Sequence, residues 1–573
     1  MTDRLTPFSP EQVRVGGEIR RRMDLTAGKI LHHLDVEHCF VRHYRERRER
    51  PEVPGGFTGY GMFLDAVVKA AVHGIGGEEM RKFKEFRIAE LISTQSADGA
   101  ITAFSGKPGF WDNHDQAYLI QAFTLDHRRF GNRDALKAAL RLGEFLIGRR
   151  TGVNIGLETA FLMLFSESGD RRFLDYCRNE FKLEESLDVY DRMLKVNGVA
   201  HVYTWIARVL AQLQYAQLTG KHDETLFAGA RELYRRVFEG GYASVTGSCS
   251  GGLNWGELWD DSQTGLGKWG ETCVSAYLLR CTAKMFEFEA AGRYGDLYER
   301  ILYNAFFGAQ SEDGLRQRYF IPFNEPGEWY EHETYCCPNN LRRMMFELSD
   351  AIYFRTPDGI AVNLYTDSEL RTETAAITQK TRYPESEEVE LRIDADGEFA
   401  LYLRIPSWCS GATVRVDGAE YRGEPGGWLR IFRRWRPGTE LRLRLPMPVR
   451  LVRGTMAQSG KVAVMRGPLV YAVEQERNGR SGNVLDLLTI EHPERSAAEP
   501  GGIRIPCICP NQGHPRWEIL FTRFSEEKRT RTYFPLVSGP ETAEDELFRK
   551  TETQPGNQPK EKGESHETAL HAY

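Results

Sequence analysis

The stretch H-R-R-F-G-N-R-D-A-L-K-A-A-L-R-L-G-E-F-L-I-G, residues 127–148, decides the fold. From Ala135 to Ile147 its apolar residues recur at three- and four-residue spacing, the period of an α-helix that buries one face. Before them stand Gly131 and a run of polar residues, the pattern in which glycine ends one helix and polar side chains open the next. Similar wording returns in S-E-S-G-D-R-R-F-L-D-Y (166–176), Q-L-T-G-K-H-D-E-T-L (217–226) and E-A-A-G-R-Y-G-D-L-Y (289–298), and the helical period holds from about residue 15 to 350. The result is a long series of antiparallel helical hairpins, which suits either a solenoid or a closed double ring of helices.

Near residue 360 the period changes to two. E-V-E-L-R-I (388–393), F-A-L-Y-L-R-I (399–405), A-T-V-R-V-D-G (412–418), W-L-R-I-F (428–432) and E-L-R-L-R-L (440–445) alternate apolar and polar residues between Gly-containing turns, as in a β-sandwich with one wet face. K-V-A-V-M-R-G-P-L-V-Y-A-V-E (461–474) and R-T-R-T-Y-F-P-L (529–536) extend the β-rich part, and the polar, aperiodic end reads as disordered. The expected organisation is α+β and multidomain: a helical domain over 1–352, a β-sandwich over 353–447, a second β-rich domain over 448–537 and a disordered tail over 538–573.

The chain of 573 residues carries 75 Lys+Arg against 81 Asp+Glu, a net charge of −6, so it lacks the basic field that gathers nucleic acid. With 41% hydrophobic residues it buries a sizeable core without staples. No apolar run approaches the ~20 residues of a membrane span, and the first residues lack the apolar core of a secretion signal, so a cytoplasmic address is the default expectation.

Ten cysteines are too few for a disulfide scaffold, and two groupings among them ask for a chemical account: W-G-E-T-C-V (269–274) and E-T-Y-C-C-P-N-N (333–340). Three thiolates and a carboxylate would complete the tetrahedral shell of zinc, whereas the plainer alternative is a set of buried thiols without metal. Glu271 and Cys273, two residues apart, converge only if that segment is extended or opens a helix. The Cys336–Cys337 pair is expected in a turn, because Pro338 disfavours an uninterrupted helix through it. Cys507 and Cys509 are spaced like strand neighbours, with no further cluster beside them.

The order of E-T-C, E-R-I-L-Y-N-A (299–305), C-C-P-N-N, D-G-I-A-V-N-L-Y (358–365) and R-G-P-L-V-Y (466–471) resembles the β-L-arabinofuranosidase family of bacterial glycoside hydrolases, from about Leu5 to Leu536. The resemblance implies an (α/α)6 helical barrel followed by β-sandwich domains. It also implies a Zn2+ ion held by Glu271, Cys273, Cys336 and Cys337, with Cys336 as nucleophile in a retaining mechanism on a terminal furanoside. Zinc would stabilise the thiolate of a residue whose ordinary pKa is ~8.5.

The same resemblance points to Glu257 of N-W-G-E-L-W (254–259) as general acid/base. The following L-W-D-D-S-Q-T-G-L-G-K-W-G departs from the family's wording, and Asp260 and Asp261 stand as neighbouring alternatives. H-D-Q-A-Y-L-I-Q-A (114–122) and G-V-A-H-V-Y-T-W (198–205) resemble helix starts that offer His114 and His201 to the sugar, while Trp255 is a candidate stacking surface; for each, core packing is the plainer role. The expected partner is an oligosaccharide or glycoside, not nucleic acid or membrane, and a homodimer is compatible with this reading. Two rival classes remain: a helical-barrel hydrolase or lyase that acts on uronic-acid oligosaccharides through carboxylates alone, and a non-catalytic glycan-binding protein in which zinc serves folding.

Overall fold

The computed structural model describes residues 5–49, 59–106, 109–188, 201–251, 257–479, 488–499, 501–508, 516–526, 531–536 and 541–548. Its helical part closes into two concentric rings. Helices α1 (Gly17–His32), α2 (Tyr60–Val72), α3 (Gly77–Ser93), α4 (Phe110–Phe130), α5 (Arg133–Gly148), α6 (Leu157–Ser168), α7 (Arg171–Asn179), α8 (Val202–Thr219), α9 (Glu224–Phe238), α10 (Thr272–Glu289), α11 (Gly292–Arg300) and α12 (Cys336–Met345) alternate between the rings. The even-numbered six form the inner ring, each packed on the next, and α12 returns to α2. This contact excludes the open solenoid and makes the fold an (α/α)6 barrel.

The two rings bury differently for reasons visible in their residues. α5 buries Ala135, Ala138, Ala139, Leu142 and Leu146 and exposes its polar face, as an outer helix must. α2 buries nearly its whole surface. There Gly61 lets the backbones of α2 and α4 meet, because a Cβ would lie 2.4 Å from the carbonyl oxygen of Asp115.

The hairpin connectors behave as their wording predicts in three of the four cases. Gly131, Gly169 and Gly220 each end a helix at φ 71°. Asn132, Asp170 and Asp223 then cap the next helix, accepting hydrogen bonds from Ala135 (3.1 Å), Arg172 (3.0 Å) and Leu226 (2.9 Å). In the fourth, the left-handed residue is Ala290 at φ 45°, and Gly292 instead begins α11.

Beyond the barrel lie three sheets. A five-stranded sheet orders Thr6–Pro7, Tyr353–Thr356, Gly359–Val362, Gly397–Arg404 and Trp428–Trp435; a seven-stranded sheet runs from Ala419–Gly423 to Val13–Val15; an eight-stranded sheet is built on Val449–Arg453, Lys461–Arg466, Leu469–Val473, Arg516–Arg523 and Gly502–Ile508. Gly359–Val362 and Gly397–Arg404 pair in parallel, an exception to the otherwise antiparallel ladders. Glu388–Ala395 alternates exposed and buried residues, the wet and dry faces that its period announces.

Two features redraw the expected boundaries. Thr6–Pro7 and Val13–Val15 pair with Arg355–Phe354 and Leu370–Ser368, so the first strands belong to the sandwich and the barrel begins at α1. Residues 541–548, expected to be tail, pack instead as a strap: Asp545 is buried, pairs with Arg300 of α11 at 2.8 Å, and Glu546 pairs with Arg450 at 2.6 Å. A charged pair sealed from water holds these residues where composition alone suggests disorder.

The seam between barrel and sheets is polar. Glu299 pairs with Arg404 at 2.7 Å, Arg404 Nε donates to the carbonyl of Asn363, and Asn304 bonds both the Pro468 carbonyl and the Val470 N–H. Burial pushes the Glu299 carboxyl up to about 7, against the charge of Arg404. Three of the stretches that carry the resemblance, around Glu299, Asn363 and Pro468, therefore join the barrel to the sheets.

Candidate active site

The inner helices α4, α8, α10 and α12 bring their N-terminal ends to one mouth, and the site is assembled from those ends. Glu271 is the N-cap of α10, Cys273 its second residue, and Cys336 and Cys337 the first two residues of α12 behind the N-cap Tyr335. Glu271 and Cys273 converge because the first is still extended, at φ −60° and ψ 132°, while the second is helical. The cysteine pair lies in a helix and not in a turn. Pro338 is tolerated there because it falls in the first turn, where backbone N–H groups have no helical acceptor.

Glu271, Cys273, Cys336 and Cys337 place one ligand atom each within 4.8 Å of one another, and all four are buried. Cys337 Sγ lies 3.2 Å from Cys273 Sγ and 3.7 Å from Glu271 Oε1. Glu271 Oε2 has no hydrogen-bond partner among the described residues. Burial, with the charges of Glu257 and Cys336, pushes the Glu271 carboxyl well up, and burial does the same to Cys273 and Cys337. Cys336 goes the other way: hydrogen bonds from Cys273 and Cys337, with His201 and His114 nearby, hold its thiol well below the usual range despite burial. A buried set of three soft sulfurs and one carboxylate could hold a metal ion, and its donor chemistry fits tetrahedral zinc.

Glu257 faces this cluster. One of its oxygens contacts His201 Nδ1, and the other accepts a hydrogen bond from Tyr319 at 2.6 Å. The Tyr319 hydroxyl is also 3.8 Å from Cys336 Sγ. Asp260 is turned elsewhere, accepting the N–H of Ser262 at 2.8 Å. His201 is the N-cap of α8; burial lowers its pKa, but the hydrogen bond and charge of Glu257 outweigh this and raise it.

His114 is fully buried on α4 between Trp111 and Tyr118, with ring centroids at 5.6 and 4.9 Å, and burial lowers it to about 3, so it is neutral. Trp255 lies outside the described residues, as does Cys509, while Cys507 is buried in a strand. The structure adds three residues that spacing does not reveal. Tyr319 links Glu257 to Cys336, and Tyr203 is buried at the mouth with a hydroxyl that lacks a partner among the described residues. Asn340 donates to Cys273 Sγ at 3.2 Å. Asn340 stands inside C-C-P-N-N and Tyr203 inside G-V-A-H-V-Y-T-W, two residues after His201, whereas Tyr319 sits in a stretch without a motif.

Residues 44–350 match the GH127 β-L-arabinofuranosidase catalytic domain, residues 359–447 the GH127 middle domain and residues 449–522 the glycoside hydrolase family 127 C-terminal domain. With that match, the barrel and its cluster define a glycoside hydrolase. The chain belongs to the GH127 β-L-arabinofuranosidase family. It is 25% identical over 474 residues to a non-reducing end β-L-arabinofuranosidase of Bifidobacterium longum subsp. longum, an alignment that covers 68% of this chain and 71% of that protein. In fold it is similar to the crystal structure of a GH127 β-L-arabinofuranosidase from Geobacillus stearothermophilus T6, with TM-score 0.76 and 21% identity over 92% of this chain and all of the other. A solved GH127 β-arabinofuranosidase gives TM-score 0.77 at 18% identity, covering 93% and 98% of the two chains.

Proposed function

We propose that this protein is a retaining hydrolase that releases terminal β-L-arabinofuranose, with Cys336 as nucleophile and Glu257 as general acid/base. The observation that carries the reading is the shared hydroxyl of Tyr319, 2.6 Å from Glu257 and 3.8 Å from Cys336. The two reactive groups are no further apart than those distances laid end to end, which suits the ~5–5.5 Å of a double displacement in which sulfur replaces one carboxylate.

Glu271, Cys273, Cys336 and Cys337 would hold zinc, which when bound keeps thiolates deprotonated at neutral pH. In the first step the Cys336 sulfur attacks the anomeric carbon, the bond to the leaving oxygen breaks with its electron pair, and the Glu257 carboxylic acid protonates that oxygen. In the second, Glu257 as carboxylate takes a proton from water, the water oxygen bonds to the anomeric carbon, and the C–S pair returns to Cys336. His201 and Tyr319 orient Glu257 through both steps. Neutral His114 and the Tyr203 hydroxyl would bond sugar hydroxyls.

The test is hydrolysis of nitrophenyl glycosides by the full chain with its metal content measured, and NMR of the first-formed product. Release of β-L-arabinofuranose with retention is expected. Turnover that survives both zinc removal and thiol alkylation would overturn the cysteine mechanism in favour of carboxylates alone.

A further inference from the structure

We propose that Glu333 is a positioning residue that acts through Tyr319: its carboxylate ties the stretch carrying that hydroxyl to the start of α12, and so keeps the hydroxyl between Glu257 and Cys336. The proposal rests on the reading of Cys336 as nucleophile and Glu257 as acid/base. Glu333 opens E-T-Y-C-C-P-N-N, three residues before Cys336, and is not one of the four clustered donors. Its Oε1 accepts a hydrogen bond from Lys29 Nζ of the outer helix α1 at 2.6 Å, and its Oε2 pairs with the Arg342 guanidinium of the inner helix α12. Both cations are buried. Burial works to raise the Glu333 carboxyl, but the charges of Arg342 and Lys29 outweigh it and hold the group below the usual carboxylate range.

Two arms leave this carboxylate, and each ends at the site. On the first, Arg342 Nη1 donates to Asn339 Oδ1 at 2.6 Å and to the Glu333 carbonyl at 3.2 Å, while Asn339 Nδ2 donates to the carbonyls of Glu333 and Tyr335 at 3.1 and 2.9 Å. Residues 333–335 are thereby held against the first turns of α12, and Cys336 follows directly. On the second, Lys29 Nζ also donates to Gln317 Oε1 at 2.6 Å. Gln317 in turn donates from Nε2 to the Tyr330 carbonyl at 3.1 Å and accepts the Tyr330 N–H on its own carbonyl at 2.7 Å. Tyr319, two residues on, accepts the N–H of Thr272 at 2.9 Å and sends its hydroxyl to Glu257 and Cys336.

Stability alone is a weak reason for such a group, because the cost of burying three charges offsets much of their attraction. Its geometric effect is specific. Two cations from different rings of the barrel converge on one anion, so neither arm shifts without stretching a charge-assisted hydrogen bond. Removal of the charge uncouples the arms, and the Tyr319 hydroxyl moves relative to the Cys336 sulfur.

The experiment measures kcat and KM of the zinc-loaded full chain on methyl β-L-arabinofuranoside, whose poor leaving group needs Glu257 most, for Glu333→Gln, Tyr319→Phe and the double variant. Glu333→Gln is expected to lower kcat about ten- to hundredfold, with KM within about threefold and the zinc content unchanged. In the Tyr319→Phe background the same change is expected to cost no more than about twofold, because the hydroxyl it positions is gone. Should Glu333→Gln fail to fold, Lys29→Met, which cuts the second arm alone, is read in the same two backgrounds. Equal losses in both backgrounds overturn the proposal and leave Glu333 a structural ion pair. An unchanged kcat in Glu333→Gln or in Tyr319→Phe overturns it as well. Failure of the unmodified enzyme on every glycoside would instead overturn the reading of Cys336 and Glu257, and the positioning role with it.

Discussion

Asn340 donates from Nδ2 to the sulfur of Cys273 across 3.2 Å, and its orientation is not free: Arg343 and Arg280 donate to its Oδ1 at 3.1 and 3.4 Å. A flipped amide would turn its N–H groups against two guanidiniums. Cys273 therefore has a donor directed at its sulfur, an arrangement that would support it as a thiolate ligand.

Replacement of Asn340 by Leu keeps the volume and removes the donor. Zinc affinity, measured by competition with a chromogenic chelator, should fall about 10–100-fold, the usual cost of losing a group that orients a ligand. Unaltered affinity would show that the contact is packing only.

The adjacent cysteines should separate cleanly. Cys336→Ser should lose about 10³-fold or more in turnover, while Cys337→Ser, like Cys273→Ser, should act through metal loss and recover partly in excess zinc. An active-site electrophile that labels Cys337 and spares Cys336, read by peptide mass spectrometry, would reverse the assignment.

Glu257→Gln should hurt poor leaving groups far more than good ones. General acid assistance is worth about 10²–10⁴-fold for a sugar alcohol and little for nitrophenolate. With the activated substrate, the variant should show a burst, then a slow phase that azide accelerates. Asp260→Asn, whose carboxylate closes a turn on Ser262, should stay within a few-fold of the unmodified enzyme. If Asp260→Asn shows the burst and Glu257→Gln does not, the roles are exchanged.

Asp112, at the start of α4, offers a pH signature away from the reacting groups. Burial pushes its carboxyl up to about 7, although Thr102 donates to it at 2.7 Å. Below the ordinary carboxylate range both folded and unfolded chains hold this proton. Between that range and about 7 only the folded chain holds it, so stability from this group falls as pH rises and then levels off. Asp112→Asn removes the effect. Its melting temperature relative to the parent should therefore rise between pH 5 and 8, with about 1.4 kcal/mol at stake per pKa unit. A difference independent of pH would show that Asp112 is ionised in the folded protein.

The helices and strands were legible because burial imposes a period on one face, and the connectors because glycine and a polar cap are needed wherever a helix reverses. Closure was not legible: α2 ends at Val72 and α12 begins only at Cys336, and no local pattern encodes the contact between them. Four ligand candidates stood out by residue type, since Cys is rare and two groups of it are rarer. Tyr319 and Tyr203 did not, because a tyrosine in a helical barrel reads as core until its hydroxyl is placed. The C-C-P segment suggests a turn and is a helix, because the rule against proline in helices relaxes in the first turn. Residues 541–548 read as tail because one buried ion pair leaves no compositional trace.

The polar seam has a consequence for modularity. Excision of the catalytic barrel at residue 352 would leave Glu299 without Arg404, Arg300 without Asp545 and Asn304 without Pro468 and Val470, and would strip the strands Thr6–Pro7 and Val13–Val15 of their partners. Each is a group folded into a dry boundary whose complement lies more than fifty residues away along the chain. The sheets are thus part of the scaffold that holds the barrel, and a barrel cut at residue 352 would meet water with those groups unpaired.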